Sequence, residues 1–152
     1  MKTRTVELER FEEVVTIVRC EFRRLAIEVN REHPHVEALA TIPEQAGLDF
    51  PVSFNLQNCD ELHLNVPTSF WAEWFPCGRQ DVFDQFVEAL TGVLSGRFRV
   101  LESCLFDTPV SARLKRPTGP NAWKTVSSSN NMWALVVPWP RTHRIVQNRP
   151  SV

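Results

Sequence analysis

Two runs of alternating apolar and polar side chains, Phe50–Gln57 and Glu61–Val66, restrict the fold of this chain more than any other feature. The short polar segment Asn58-Cys59-Asp60 joins them, so the pattern predicts an antiparallel hairpin. Because a slip of one residue would mix apolar and polar side chains on both faces, the register is well specified. The facing pairs in this register are Val52–Val66, Ser53–Asn65, Phe54–Leu64, Asn55–His63, Leu56–Leu62 and Gln57–Glu61.

One face of this hairpin is rich in amides and hydroxyls, whereas a sheet face in contact with water usually carries more Lys and Glu. Side-chain amides donate and accept hydrogen bonds, which suits recognition of a partner. Two other interpretations stay open: a plainly solvated face, and acid–base chemistry by Glu61 and His63. The binding residues predicted on this face are Asn55, His63 and Asn65.

Four large aromatic side chains stand close together after the hairpin, between Pro67 and Pro76. Their spacing predicts a short helix that carries all of them on one face, with Ser69 as its N-cap. A strand would instead divide them between two faces and leave some exposed. Because each ring needs roughly 150–250 Å² of cover, we expect at least one ring, most readily a Trp, to stay accessible. The binding residues predicted in this segment are Phe70, Trp71, Trp74 and Phe75.

Two main helices are predicted, over residues 5–31 and Arg79–Ser95. In the first, apolar side chains recur at alternating steps of three and four. This spacing also suits a coiled-coil dimer, but Val14 and Ala26 widen the apolar stripe, which favours a helix docked on a sheet. The stripe consists of Leu8, Phe11, Val15, Val18, Phe22, Leu25 and Val29.

Further strands are predicted at 35–42, 98–106, 110–116 and 132–138, and a loop rich in Pro, Gly and Ser at 117–131. The order of elements is α-β-β-β-(short α)-α-β-β-β, which indicates an α+β fold. Short connections favour an antiparallel sheet of about five to six strands with both main helices packed on one face.

A chain of 152 residues that is 43% hydrophobic fits one domain with a substantial core. We expect that domain to span residues 1–140, with a loosely held C-terminal tail at 141–152. The order of elements resembles that of small secretion chaperones and several toxin-immunity proteins. This resemblance is one of fold alone, because no residue motif accompanies it.

Charge and cysteine content restrict the partners and the compartment. Lys and Arg number 17 and Asp and Glu number 18, so the basic excess that a nucleic-acid-binding protein needs is missing. No apolar run reaches the length of a membrane span, and no signal peptide is visible at the N-terminus. The four cysteines form no C-x-x-C pair, which fits reduced thiols in the cytoplasm.

Candidate sites for catalysis or metal binding are weak in the sequence. Cys77 precedes the second helix, where a thiol can become nucleophilic, but the local sequence places no base beside it. The spacing of His33, His35 and Glu37 suits a metal site on a strand. Pro34 disturbs that face, however, and no fourth ligand is visible. No phosphate-loop, dinucleotide or hydrolase motif is present, so we expect no catalytic residue, metal or cofactor.

The sequence therefore predicts a small cytoplasmic, non-enzymatic protein-binding module, similar in role to a chaperone or an immunity protein. Its partner is another protein or a second copy of itself, bound through the hairpin face and the aromatic segment. The alternative is an enzyme or small-ligand-binding protein with an aromatic-lined pocket between sheet and helices.

Overall fold

The computed structural model describes residues 5–67, 70–130, 136 and 138–150. In this part of the chain two helices and two antiparallel sheets are present, as expected for an α+β fold. The elements are α1 (Val6–Glu21), β1 (Glu28–Asn30), β2 (Ala38–Ile42), β3 (Val52–Gln57), β4 (Glu61–Val66), β5 (Phe70–Trp74), α2 (Gln80–Leu94), β6 (Arg99–Leu105), β7 (Thr108–Gly119), β8 (Ala122–Asn130) and β9 (Thr142–Val146).

The first sheet is a meander of β1 to β5, in which each strand pairs with the next one along the chain. The register predicted for β3 and β4 is confirmed, with Phe54 opposite Leu64 and Asn55 opposite His63. Alternation along the strands separates an apolar face from a polar one. The buried apolar side chains of β2 to β5 are Ala38, Ala40, Ile42, Val52, Phe54, Leu56, Leu62, Leu64, Val66, Phe70, Ala72 and Trp74.

Aromatic rings join both helices to the apolar face of this sheet. The Phe54 ring centroid lies 5.4 Å from that of Phe11 on α1 and 6.2 Å from that of Phe86 on α2. The Trp74 ring meets the Phe86 ring edge-on at 5.4 Å. The first helix is therefore docked on a sheet, as its wide apolar stripe predicted. Its buried residues are Phe11, Val14, Val15 and Val18.

The first helix ends at Glu21, so its predicted extension to residue 31 is wrong. The amide of Gln45 holds the backbone of Ala26 away from the helix, accepting a hydrogen bond from its N–H at 2.7 Å and donating one to its C=O at 3.1 Å. The chain then enters β1, where Val29 lies opposite Ala40 of β2. Pairing with β2 overrides the helical spacing, and β-branched Val29 suits a strand.

The aromatic segment is strand β5, so the prediction of a short helix is wrong. As a strand, this segment pairs with the backbone N–H and C=O groups along the outer edge of β4, which a helix would leave unpaired. In this pairing Leu64 lies opposite Ala72 and Val66 opposite Phe70. As a result the aromatic side chains are divided between the two sides of the sheet. The side chains of Phe70 and Trp74 are buried, whereas Trp71 is 52% exposed.

The remaining strands form a second sheet in the order β8-β7-β6-β9, which corrects the prediction of a single sheet. The chain passes through α2 between β5 and β6, so β6 begins a new meander rather than extending the first. The loop predicted at 117–131 is largely strand β8, paired with the long strand β7. Pairing with β7 overrides the loop-like Ser, Pro and Gly content of this segment, and Trp123, Thr125 and Val126 suit a strand.

The C-terminal segment also differs from the loosely held tail that the sequence suggests. Strand β9 pairs with β6, with Ile145 opposite Leu101. Beyond it, Asn148 is 2% exposed, and its amide nitrogen donates to the carbonyls of Leu94 at 2.6 Å and Gly47 at 2.9 Å. The strand predicted at 132–138 falls outside the described residues, except at Val136 and Pro138.

Among the described residues, no helix combines the length and the apolar character that crossing a membrane requires.

Candidate functional site

The candidate site is the side of the first sheet that faces away from both helices, which we call the polar face. Antiparallel register aligns its side chains in two rows that cross all five strands. The first row is Asn30, Leu39, Asn55, His63 and Glu73. The second row is Glu28, Thr41, Ser53, Asn65 and Trp71.

This face brings together some of the predicted binding residues and separates others. Asn55, His63 and Asn65 share it with Trp71, which lies directly opposite Asn65. Phe70 and Trp74 point into the core on the other side and are only 2% and 8% exposed, although the edge of Phe70 contributes to the groove described below. The predicted residue that remains, Phe75, follows the end of β5 and is 59% exposed.

Trp71 is held in place although half of it is accessible. Its ring stacks on the imidazole of His63, with the ring centroids 6.1 Å apart and the planes inclined by 8°. The contact fixes an exposed aromatic ring above a rigid strand pair. Binding through this ring therefore costs little side-chain entropy.

A groove of about 560 Å³ opens beside Trp71 at one end of the polar face. Thr41, Ser53 and Asn65 supply its polar groups, while Pro67 and Trp71 supply apolar surface. The groove combines a stacking or apolar contact with hydrogen-bonding groups, which is the composition expected of a recognition surface.

Three titratable side chains converge next to Trp71. His63 Nε2 lies 3.0 Å from Glu61 Oε2 and 3.9 Å from Glu73 Oε2. The hydrogen bonds from His63 and from the Asn58 amide, which lies 2.8 Å from the same Glu61 oxygen, lower the pKa of Glu61. The carboxylate is therefore ionised at neutral pH and is held in one orientation.

Asn55 stands beside this cluster with an unused acceptor. It is 9% exposed, and its Oδ1 has no hydrogen-bond partner among the described residues. Most buried side-chain oxygens are hydrogen-bonded, because leaving one unpaired costs about 1–3 kcal/mol. An unpaired oxygen directly opposite His63 therefore points to a role outside folding.

The charge of the polar face is negative. The two rows contain Glu28 and Glu73, Glu61 lies opposite Gln57 on the same side, and no Lys or Arg occupies any of these positions. Since His63 is the basic group of the face, a partner that brings Lys or Arg would find complementary charge.

Sequence reasoning missed Glu73, because a helical reading of its segment removes it from the neighbourhood of His63. The residues of β5 do not alternate between apolar and polar, so its alternation of buried and exposed positions appears only when the strand pairs with β4. It also missed an exposed aromatic pair on the second sheet. The Phe106 ring lies 5.8 Å from the Trp139 ring, and Phe106 is 76% exposed.

The other candidate sites from the sequence do not assemble. Cys77 is fully buried, and burial together with the negative charges of Glu7 and Asp60 raises its pKa to about 11. His33, His35 and Glu37 do not converge on a common point within metal-binding distance. The Glu37 carboxylate instead accepts a hydrogen bond from the backbone N–H of Cys59 at 3.2 Å.

We expect an aromatic disulfide reagent to modify Cys20 and Cys59 in the folded protein, and Cys77 and Cys104 only after denaturation, because the first pair is exposed and the second is buried.

The raised pKa of Cys77 also makes the stability of the fold depend on pH. Its contribution to stability is fully present below the pKa of the unfolded thiol, about 8.5. This contribution is lost as the pH rises towards about 11. Urea unfolding between pH 8 and 11 should show this loss in wild type and in the control Cys20→Ser, but not in Cys77→Ser. Rapid modification of Cys77 in the folded protein would contradict the assignment.

Comparison of the chain with protein-family models, with curated proteins and with solved structures finds no match.

Proposed function

We propose that this protein is a non-enzymatic binding module that recognises a segment of another protein through its polar face. The observation that carries the proposal is Trp71, which is 52% exposed and whose ring stacks on the imidazole of His63. Trp residues that are rigid in the free protein are frequent anchors of protein interfaces. Phe75, just beyond the other end of the same strand, is a second exposed aromatic ring, at 59%.

Charge and shape indicate the chemistry of the partner. The groove beside Trp71 accepts an apolar side chain, and the Thr41, Ser53 and Asn65 side chains can bond a partner's backbone. The carboxylates of Glu61 and Glu73 lie farther along the same face, beside His63, and favour Lys or Arg. The proposed partner segment is therefore an aromatic or aliphatic residue flanked by basic residues.

The same charges disfavour self-association through this face. A twofold dimer would bring two copies of the face together, including Glu28, Glu61 and Glu73 from each chain. Like charges opposed across an interface cost several kcal/mol, so a different protein fits better than a second copy. A homodimer is one of the outcomes that the experiment below distinguishes.

The alternative of a ligand pocket between the first sheet and the helices meets a packed core. The rings of Phe11, Phe54, Phe86 and Trp74 contact one another there, with centroids 5.4–6.2 Å apart. A ligand would have to displace these rings. The open groove lies on the opposite side of the sheet, which favours the binding module.

Selection from a random peptide library displayed on phage tests the proposal directly. Immobilised wild-type protein should enrich peptides with an apolar residue flanked by Lys or Arg. Affinity for a selected peptide should fall about 30-fold or more in Trp71→Ala, the loss typical of an anchor residue. The matched control is Phe106→Ala, which removes a comparably exposed aromatic ring from the second sheet and should leave the affinity unchanged.

Three outcomes would contradict the proposal. These are the failure to enrich any peptide, enrichment of acidic peptides, and peptide affinities that Trp71→Ala leaves intact. Sedimentation equilibrium of the same proteins covers the remaining case. A wild-type dimer that Trp71→Ala dissociates would assign the face to self-association instead.

A further inference from the structure

We propose that Glu61, His63 and Glu73 form a binding site for a divalent transition-metal ion of the zinc class. The site lies beside the peptide groove and shares Glu61, His63 and Glu73 with the proposed binding face, but neither the geometry that carries it nor its test depends on the proposed function. Its three ligand atoms, one imidazole nitrogen and two carboxylate oxygens, all lie within 4.8 Å of one another.

The backbone register places these three residues together. Glu61 and His63 are two residues apart on β4 and therefore share a face, while Glu73 lies directly opposite His63 on β5. Paired strands are stiff, so the site exists before any ion binds. The side chains of His63 and Glu61 are only 12% and 21% exposed. Their conformational freedom is therefore already restricted, and an ion would remove little more of it.

The distances suit an ion of this size. Zinc binds nitrogen and oxygen ligands at about 2.0–2.2 Å, so neighbouring ligand atoms of a tetrahedral site lie roughly 3.3 Å apart. The corresponding separations here are 3.0 Å from His63 to Glu61 and 3.9 Å from His63 to Glu73. The Glu73 side chain is 42% exposed, so it is free to rotate towards the other two ligands when an ion binds.

The unpaired oxygen of Asn55 provides an independent indication. Without metal, His63 Nε2 faces a carboxylate oxygen that can only accept, so Nε2 carries the imidazole proton. An ion on Nε2 would displace that proton and leave the neutral ring protonated on Nδ1. Metal-bound histidines almost always donate this second N–H to an acceptor. Asn55 lies directly opposite His63 on β3, and its buried Oδ1 makes no hydrogen bond to either ring nitrogen of His63 in the metal-free structure. The imidazole would have to reorient on metal binding for Nδ1 to come within hydrogen-bonding distance of this oxygen.

The donor set selects the class of ion. An imidazole with two carboxylates suits zinc and its first-row neighbours, whereas calcium and magnesium prefer oxygen alone. A dication also offsets the two adjacent negative charges of Glu61 and Glu73. Three protein ligands leave a coordination position that water can fill.

Zinc titration by isothermal calorimetry tests the proposal. The starting protein carries Cys20→Ser and Cys59→Ser, which removes the exposed thiols as competing ligands. We expect about one zinc ion per chain, with affinity at least tenfold weaker in Glu73→Gln and in His63→Gln. Asn55→Ala should weaken binding about 10–100-fold without removing a ligand. The double variant His33→Gln/His35→Gln is the control and should bind as the starting protein does.

Trp71 supplies a second readout that reports the location of the ion. Cobalt or copper bound at His63 should quench the fluorescence of the stacked Trp71 ring, and this change should be absent in Trp71→Phe. Zinc affinity that survives in both Glu73→Gln and His63→Gln, or that disappears in the His33/His35 control, would overturn the site. So would the absence of binding heat in the starting protein. Glu73 is exposed and makes no core contact, so Glu73→Gln keeps the test valid even if His63→Gln misfolds.

Discussion

Replacing Phe54 by Ala is expected to lower the free energy of unfolding by about 3–5 kcal/mol. The Phe54 side chain is fully buried, and its ring contacts Phe11 on one helix and Phe86 on the other. Its removal leaves a cavity where the sheet meets both helices, which these rigid elements cannot close. Guanidinium unfolding, followed by far-ultraviolet circular dichroism, measures the loss.

Phe106→Ala is the matched control for this prediction. The same side chain is deleted, but Phe106 is 76% exposed in the β6–β7 turn, so the stability should change by at most about 0.5 kcal/mol. Equal losses in the two variants would show that the ring of Phe54 does not join the helices to the sheet as described.

Asn148→Ala is expected to cost about 3 kcal/mol, the second-largest effect. The Asn148 amide donates to the buried carbonyl of Leu94 and the half-buried carbonyl of Gly47, and its Oδ1 accepts from the Asp49 N–H at 3.0 Å. The variant leaves these groups of Leu94, Gly47 and Asp49 without their partner. Thermal unfolding measures the total loss, and amide hydrogen exchange in β9 shows whether the C-terminal strand is released.

Asn30→Ala provides the comparison for Asn148. Asn30 is exposed, and its side chain accepts a single local hydrogen bond from Glu32 N–H, so its loss should cost less than about 1 kcal/mol. If Asn148→Ala unfolds with the same free energy as Asn30→Ala, the buried amide does not anchor the end of the chain.

The parts of the fold that sequence reasoning predicts well are those in which pattern and pairing are local. The β3–β4 register follows from two short alternating runs joined by a turn, with every facing pair within reach along the chain. Helix α2 likewise agrees to within a residue of its predicted ends, because its apolar spacing and its boundaries lie in one continuous segment.

Where a distant partner decides the backbone conformation, the pattern alone misleads. The aromatic segment has spacing compatible with a helix, and only the open edge of β4 makes it a strand. Residues 26–30 continue the helical spacing in the sequence. In the structure, Gln45 binds the backbone of Ala26, and pairing with β2 makes the residues after it strand β1. The residues of β8 taken alone indicate a loop. Pairing with β7, which the composition of β8 does not reveal, makes the segment a strand.

The candidate site divides in the same way. Asn55, His63 and Asn65 could be placed on one face from the hairpin alone. Trp71 and Glu73 reach that face only because β5 pairs with β4, so neither the stack on His63 nor the charged cluster follows from local sequence. The tertiary pairing of a single strand thus adds both the proposed aromatic anchor and the third ligand of the proposed metal site.

The order of strands also has a consequence for how the chain acquires its structure. Each pairing of the first sheet joins neighbours in sequence, so this meander closes only short loops and can form while later residues are still being synthesised. The last strand, β9, must instead return past β7 and β8 to reach β6. We therefore expect folding to end at the C-terminus, when β9 pairs with β6. The Asn148 amide then forms its hydrogen bonds to Gly47 and Asp49, before β3, and to Leu94 at the end of α2.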